Sequence, residues 1–189
     1  MSEVAMSAQS IKMEFPIFND ITVLDKRETL NVFDDDGRQL EFFHPEDSPT
    51  GAYHMEVYNP QLTGAKLDRA VFGEFLHAAP ALSPHYKKQR ELLVQTFTPA
   101  QKEANINAYK KAQSDNGETR PFEKWMEVSR VDAFIRGHVS KQWPDYPYNI
   151  TQRRLMDEMI NDLHKGKTEW LLLIPFLSKS ETRLGELLS

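Results

Sequence analysis

The chain has 189 residues, 40% hydrophobic and 27% charged, so it can bury a core of its own and is too apolar for general disorder. It contains no cysteine, which excludes disulfides, thiolate metal sites and cysteine nucleophiles. A formal charge of −5, with acidic and basic residues mixed along the chain, opposes non-specific binding to nucleic acid or anionic lipid.

Residues 1–10 are small and polar, lack the basic start and apolar run of a secretory signal, and read as a frayed tail. Residues 11–189 then read as one domain, with a β-rich part at 11–60, a helical part at 61–166 and an apolar end at 167–189. Up to residue 58 the punctuation is that of strands. Short segments at 11–15, 21–24, 29–33, 39–43 and 52–58 are separated by Pro16, Asn19-Asp20, Asp34-Asp35-Asp36-Gly37 and residues 44–49. Asp36-Gly37 suits a type I′ hairpin turn, where both central residues need positive φ. Segment 52–58 alternates, with Tyr53, Met55 and Val57 expected in the core and His54, Glu56 and Tyr58 on a solvated face.

From Gly64 onward the apolar period becomes helical. Leu67, Val71 and Phe75 mark a helix that Pro80 is expected to close. Ser83-Pro84 supplies an N-cap and a first-turn proline for a helix with Tyr86, Leu93 and Phe97 on one face. Thr98 and Gln101 form a capping box for the next, in which Ala100, Ala104, Ala108 and Ala112 make a stripe that a neighbour could approach closely. After a polar connector at 114–119, residues 120–143 form the central helix. On an α-helical wheel it carries two stripes, Phe122, Trp125, Met126 and Ala133 on one side and Val128, Val131, Ile135 and Val139 on another, so cover is expected on both. Asn149 and Gln152 form a second capping box, ahead of Met156, Met159, Ile160 and Leu163, and Lys165-Gly166 ends that helix. Residues 170–177 read as strand or short helix, with Pro175 favouring strand. No stretch approaches the roughly 20 apolar residues of a membrane helix. The expected fold is α+β, with N-terminal antiparallel β-hairpins packed on a mainly α-helical body of about five helices.

The usual enzyme fingerprints, Gly-x-Gly-x-x-Gly, the Walker loop, His-Glu-x-x-His and Gly-x-Ser-x-Gly, are absent. As a calcium loop, residues 32–43 fail at Val32 and Phe43, where ligands are required. His54 and Glu56 share a strand face near His44, Glu46 and Asp47, an arrangement open to acid–base or metal chemistry, although a solvated strand face is the plainer reading. His138, on the side of Glu127, would serve as a general base if a cleft opened there; a histidine at a packing edge is plainer. Lys87, Lys88 and Arg90 beside Tyr86, with Lys110 and Lys111 beside Tyr109, would meet a phosphate backbone only if their helices formed a hairpin.

Trp143, Tyr146 and Tyr148, interleaved with Pro144 and Pro147, have the rigid amphipathic character of an interface hot spot, or else cap the chain's own core. The leading expectation is therefore a cytoplasmic accessory, assembly or inhibitory factor that binds another protein through Trp143, Tyr146 and Tyr148. It would need no cofactor, metal or membrane, and a second copy of the chain is one candidate partner. The rival is a hydrolase or transferase with a dispersed histidine/carboxylate site on His54 with Glu56, or on His138. Nucleic-acid binding stands third.

Overall fold

The structure, a computed structural model, describes residues 1–27, 40–139 and 148–165. Its first element is a helix, α1 (Glu3–Glu14), and not a frayed tail followed by a strand. The Ser2 hydroxyl accepts from the Ala5 N–H, while Val4, Ala8 and Ile11 bury one side against α2. Because the buried face includes Ser7 and Ala8, apolar contrast along this segment is weak, and its 3.6-residue period is faint in the sequence.

Three short strands follow: β1 (Thr22–Asp25), β2 (Leu40–Phe43) and β3 (His54–Val57). The sheet order is β1-β3-β2, with β2 antiparallel to β3 and β1 parallel to it. The α+β class, with strands ahead of a helical body, is as expected, but the sheet is mixed and not built of hairpins alone. The centre goes to the strand that hides both faces, since Met55 and Val57 are buried on one and His54 on the other. The hairpin expected at Asp36-Gly37, the segment at 29–33 and the apolar run at 170–177 lie outside the described residues.

Helix α2 (Gly64–Leu82) is the axis of the core, burying Leu67, Val71, Phe72, Phe75 and Leu76. Thr63 does not cap it with its own side chain; Glu3 reaches across and accepts the Gly64 N–H at 2.7 Å. The other Glu3 oxygen meets Arg27, which also binds Asp25 and the Leu62 carbonyl, so the starts of α1 and α2 are tied to the end of β1. Pro80 does not close α2, which runs two residues further. Only the bond to the Leu76 carbonyl is forfeited, while Ala78 and Ala79 stay buried and the Ser83 N–H closes the last turn on Ala79.

The three cap signals hold. Ser83 caps α3 (Pro84–Gln95), and complete capping boxes open α4 (Pro99–Asn116) and α7 (Ile150–His164). Only the second half of the α4 alanine stripe packs: Ala108 and Ala112 are half-buried against the core, whereas Ala100 and Ala104 are exposed, and the first turns bury Gln101 and Asn105 instead.

The central helix is continuous from α5 (Phe122–Trp125) through a π-helical stretch (Met126–Val131) into α6 (Asp132–Val139). A π-turn accommodates about one extra residue, which turns everything after it back by roughly 100°. That rotation merges the two expected stripes into one, because Trp125, Met126, Val131, Phe134 and Ile135 all become buried on a single side. A helix apolar on two sides is thus an α-helical reading of a π-interrupted one. Six helices stand among the described residues, α1 being the one not foreseen. None is long and apolar enough to cross a membrane.

Candidate functional site

The structure brings His54 and Glu56 together, as their shared strand face requires: His54 Nε2 is 2.9 Å from Glu56 Oε1, and the Tyr58 hydroxyl donates to the other Glu56 oxygen. Burial pushes the Glu56 carboxyl up, but the bonds from His54 and Tyr58 outweigh it and hold the group below its usual value. The face is not solvated as expected. His54 is 2% exposed beneath the Phe43 ring, and its Nδ1 is buried without a partner. His44 lies elsewhere, against Phe42 and Tyr53. Among the described residues no three His, Asp or Glu side chains are placed to hold a metal ion.

His138 is half-exposed, and its acidic neighbour is Asp157 of α7, 3.3 Å from Nε2; Glu127 pairs with Lys124 instead. The basic cluster on α3 is split by burial. Tyr86 and Arg90 turn inward to Asp132, at 3.4 and 3.5 Å, leaving Lys87 and Lys88 outside. Tyr109 also turns in, onto Phe122 and Trp125. Tyr148 is half-buried, edge-on to Phe134 with ring centroids 5.6 Å apart, whereas Trp143 and Tyr146 lie outside the described residues.

A different group of side chains forms the most developed polar site. Gly73, Glu74 and His77 share one side of α2, and the Arg136 guanidinium from α6 lies against Gly73, where any Cβ would come within 2.7 Å of Nη1. His77 is one turn further along that face, with its Nδ1 3.8 Å from Glu74 Oε2. Rings from the β2–β3 region wall it: Phe42 stands edge-on to His77 at 6.3 Å and contacts His44 and Tyr53, which contact each other. Arg120 is held by Glu118 and donates to the Ser129 hydroxyl, on the π-helical stretch, at 3.0 Å.

The electrostatics are those of a half-buried polar cluster that keeps one side in water. Burial pushes His77 down to about 4, assisted by the charges of Arg120, His44, Arg90 and Arg136, yet the side chain stays 37% exposed. Burial also raises the Glu74 carboxyl, against a smaller opposing pull from Arg136. Behind this face lies the buried group of Tyr86, Arg90 and Asp132. Burial pushes Asp132 up to about 7 despite Arg90, Tyr86 and Arg136, and Asp132 Oδ2 and Arg90 Nε have no hydrogen-bond partner. A recess holding a neutral imidazole, a carboxyl group and fixed guanidiniums can bind and orient a polar small molecule and exchange protons with it.

Sequence reasoning passed over this site because its members stand on α2, α3, α6 and the approach to α5, far apart in the chain. The available signal was Gly73 inside an otherwise strong helix, the mark of a close approach. A second unforeseen pair joins α3 to α7, where His85 Nδ1 meets Asp162 and His85 Nε2 is 3.0 Å from Gln89 Nε2. No protein-family model, curated protein or solved structure matches this chain.

Proposed function

We propose that the protein binds a small molecule in the recess bounded by Glu74, His77, Arg136 and the Phe42–His44–Tyr53 wall. This reading belongs with the dispersed histidine/carboxylate class, with His77 and Glu74 in the place considered for His54, Glu56 and His138. The observation that carries it is His77 itself: an imidazole kept neutral by its surroundings, still accessible, and flanked by a carboxyl and a guanidinium from different elements. Polar groups converging from several elements beside an apolar wall are what a ligand site requires. The test is a thermal-shift screen of a metabolite-like library against the wild type and H77Q. Ligands that stabilise the wild type and lose that effect in H77Q support the reading; ligands indifferent to H77Q, as a class, refute it.

The second reading is a protein partner at Trp143, Tyr146 and Tyr148. It rests on the rigid amphipathic character of that aromatic and proline segment, and the seat of Tyr148 on Phe134, which caps the chain's own core, leaves Trp143 and Tyr146 to carry it. Its test is crosslinking to a stoichiometric partner by the wild type that W143A/Y146A does not form.

A further inference from the structure

We propose that the ligand of this recess carries an oxyanion, a carboxylate or a phosphate, on a flat unsaturated body. The anion sits against Arg136, and the flat body lies on the Phe42–His44–Tyr53 wall. This rests on the recess being the working site. The first support is geometric. Arg136 is not a free surface arginine: its guanidinium is seated on the backbone of α2 at Gly73, which has no side chain to displace it. A guanidinium carries five N–H donors in a fork matched to two oxygens, so an oxyanion adds to the contacts it already makes. Because the fork is already placed, binding loses less side-chain freedom there.

Arg120, just ahead of the central helix, adds its charge to the same imidazole. It is 42% exposed, with one Nη2 contact to Ser129 and a bidentate pairing to Glu118 that holds it in position. Arg90 stands behind. Burial is the main reason that His77 stays neutral, with the charges of Arg120, His44, Arg90 and Arg136 adding to it, and a neutral imidazole is able to donate or accept a hydrogen bond. Glu74 is the carboxyl nearest to it; burial already favours its protonated form, so an arriving anion is accompanied by proton uptake from solvent at Glu74 or His77.

The wall selects shape. Phe42, His44 and Tyr53 contact one another at centroid separations of 5.7 to 6.0 Å, and all three keep part of their surface in water. Such rings gain from a flat partner laid against them, and each supplies area at small entropic cost.

The experiment follows the His77 ring resonances by NMR, assigned by their loss in H77Q, while benzoate, phenyl phosphate, benzamide and benzylamine are added separately. Benzoate and phenyl phosphate are expected to shift His77, raise its titration midpoint, and bind about tenfold or more tighter than benzamide, the difference between charged and neutral hydrogen bonds. R136Q should abolish that preference. If R136Q fails to melt as a folded protein, G73A serves, since its new methyl displaces the same guanidinium. Benzamide or benzylamine binding as tightly as benzoate overturns the oxyanion inference and leaves the recess as a site. Silence of His77 towards all four compounds overturns the inference and counts against the recess.

Discussion

Gln101 and Gln152, each the third residue of a helix and the side-chain half of its capping box, exchange amide hydrogen bonds in the interior at 3.2 and 2.8 Å. Each amide oxygen also accepts its own N-cap backbone N–H, from Thr98 or Asn149, and the Gln152 nitrogen donates to the Thr96 carbonyl. Two helix starts 51 residues apart in the chain are thereby fixed to each other. One leads to Arg120 through α4, and the other begins beside Tyr148.

Replacing Gln152 by leucine removes the hydrogen bonds that it exchanges with the buried Gln101 amide, the one it donates to the part-buried Thr96 carbonyl, and half of the α7 cap. We expect a loss of about 2 to 3 kcal/mol in urea unfolding, and a similar loss for Q101L. In Q101L/Q152L no amide is left facing an apolar partner, so the double variant should cost less than the sum of the singles. Additive losses would show that the two glutamines do not act as a unit.

The pH dependence of stability should contain two opposed contributions. Asp132 has its pKa raised from 3.8 to about 7, so between those values the folded state holds a proton that the unfolded state has released, and stability falls as pH rises. His77 has its pKa lowered from 6.5 to about 4, so in that window the unfolded state binds the extra proton and stability rises with pH. The raised Glu74 adds to the Asp132 side. Urea midpoints measured between about pH 4 and 7 should therefore be flatter in the wild type than in either variant. D132N should become more stable with rising pH relative to the wild type, and H77Q less so. The same slope in all three proteins would remove both groups from consideration.

Much of the scaffold was legible because its signals are local. Ser83, Thr98 and Asn149 cap the helices they precede, and the alternation of Met55 and Val57 marks the core face of β3. What escaped reading depended on distant partners. Residues 3–14 become a helix partly because α2 covers their small-residue face, and Glu3 acts through distant partners, as the cap of Gly64 and the mate of Arg27. Trp125, Met126, Val131 and Ile135 of the two expected stripes are indeed buried, but on one side, since a wheel drawn at 3.6 residues per turn cannot anticipate a π-turn. Likewise, His54 and Glu56 were paired correctly by strand spacing, whereas Arg136 reaches the Gly73–His77 face only once α2 and α6 are packed, and Arg90 reaches Asp132 only once α3 and α6 are.

Gly73 separates the demands of the helix from those of the recess. Alanine there gains up to about 1 kcal/mol of helix propensity, and its methyl meets only the far end of a flexible side chain, so the melting temperature should hold or rise. The guanidinium of Arg136 has to move, and with it goes part of the field on His77. We expect the His77 midpoint in G73A to climb towards its ordinary value of 6.5. A protein with unchanged His77 titration would show that Arg136 does not act on the imidazole.

The π-helical stretch makes a prediction about deletions. If Met126–Val131 holds one residue more than an α-helix would, removing Val128 lets the stretch relax to α-helical geometry while Trp125 and Met126 stay on the same side as Phe134 and Ile135. The core-facing surface survives, and cooperative unfolding should persist with a loss of no more than about 2 kcal/mol. Helix α2 has no such slack. Deleting Ala70 turns Leu67 by roughly 100° relative to Val71, Phe72, Phe75 and Leu76, so one set must leave the core, at a cost of about 3 to 5 kcal/mol or more. Far-ultraviolet circular dichroism with urea titration distinguishes the two. Equal damage from both deletions would mean that the π-turn is not a spare residue but a required shape, one that holds Ser129 against Arg120 and presents Asp132 to Arg90.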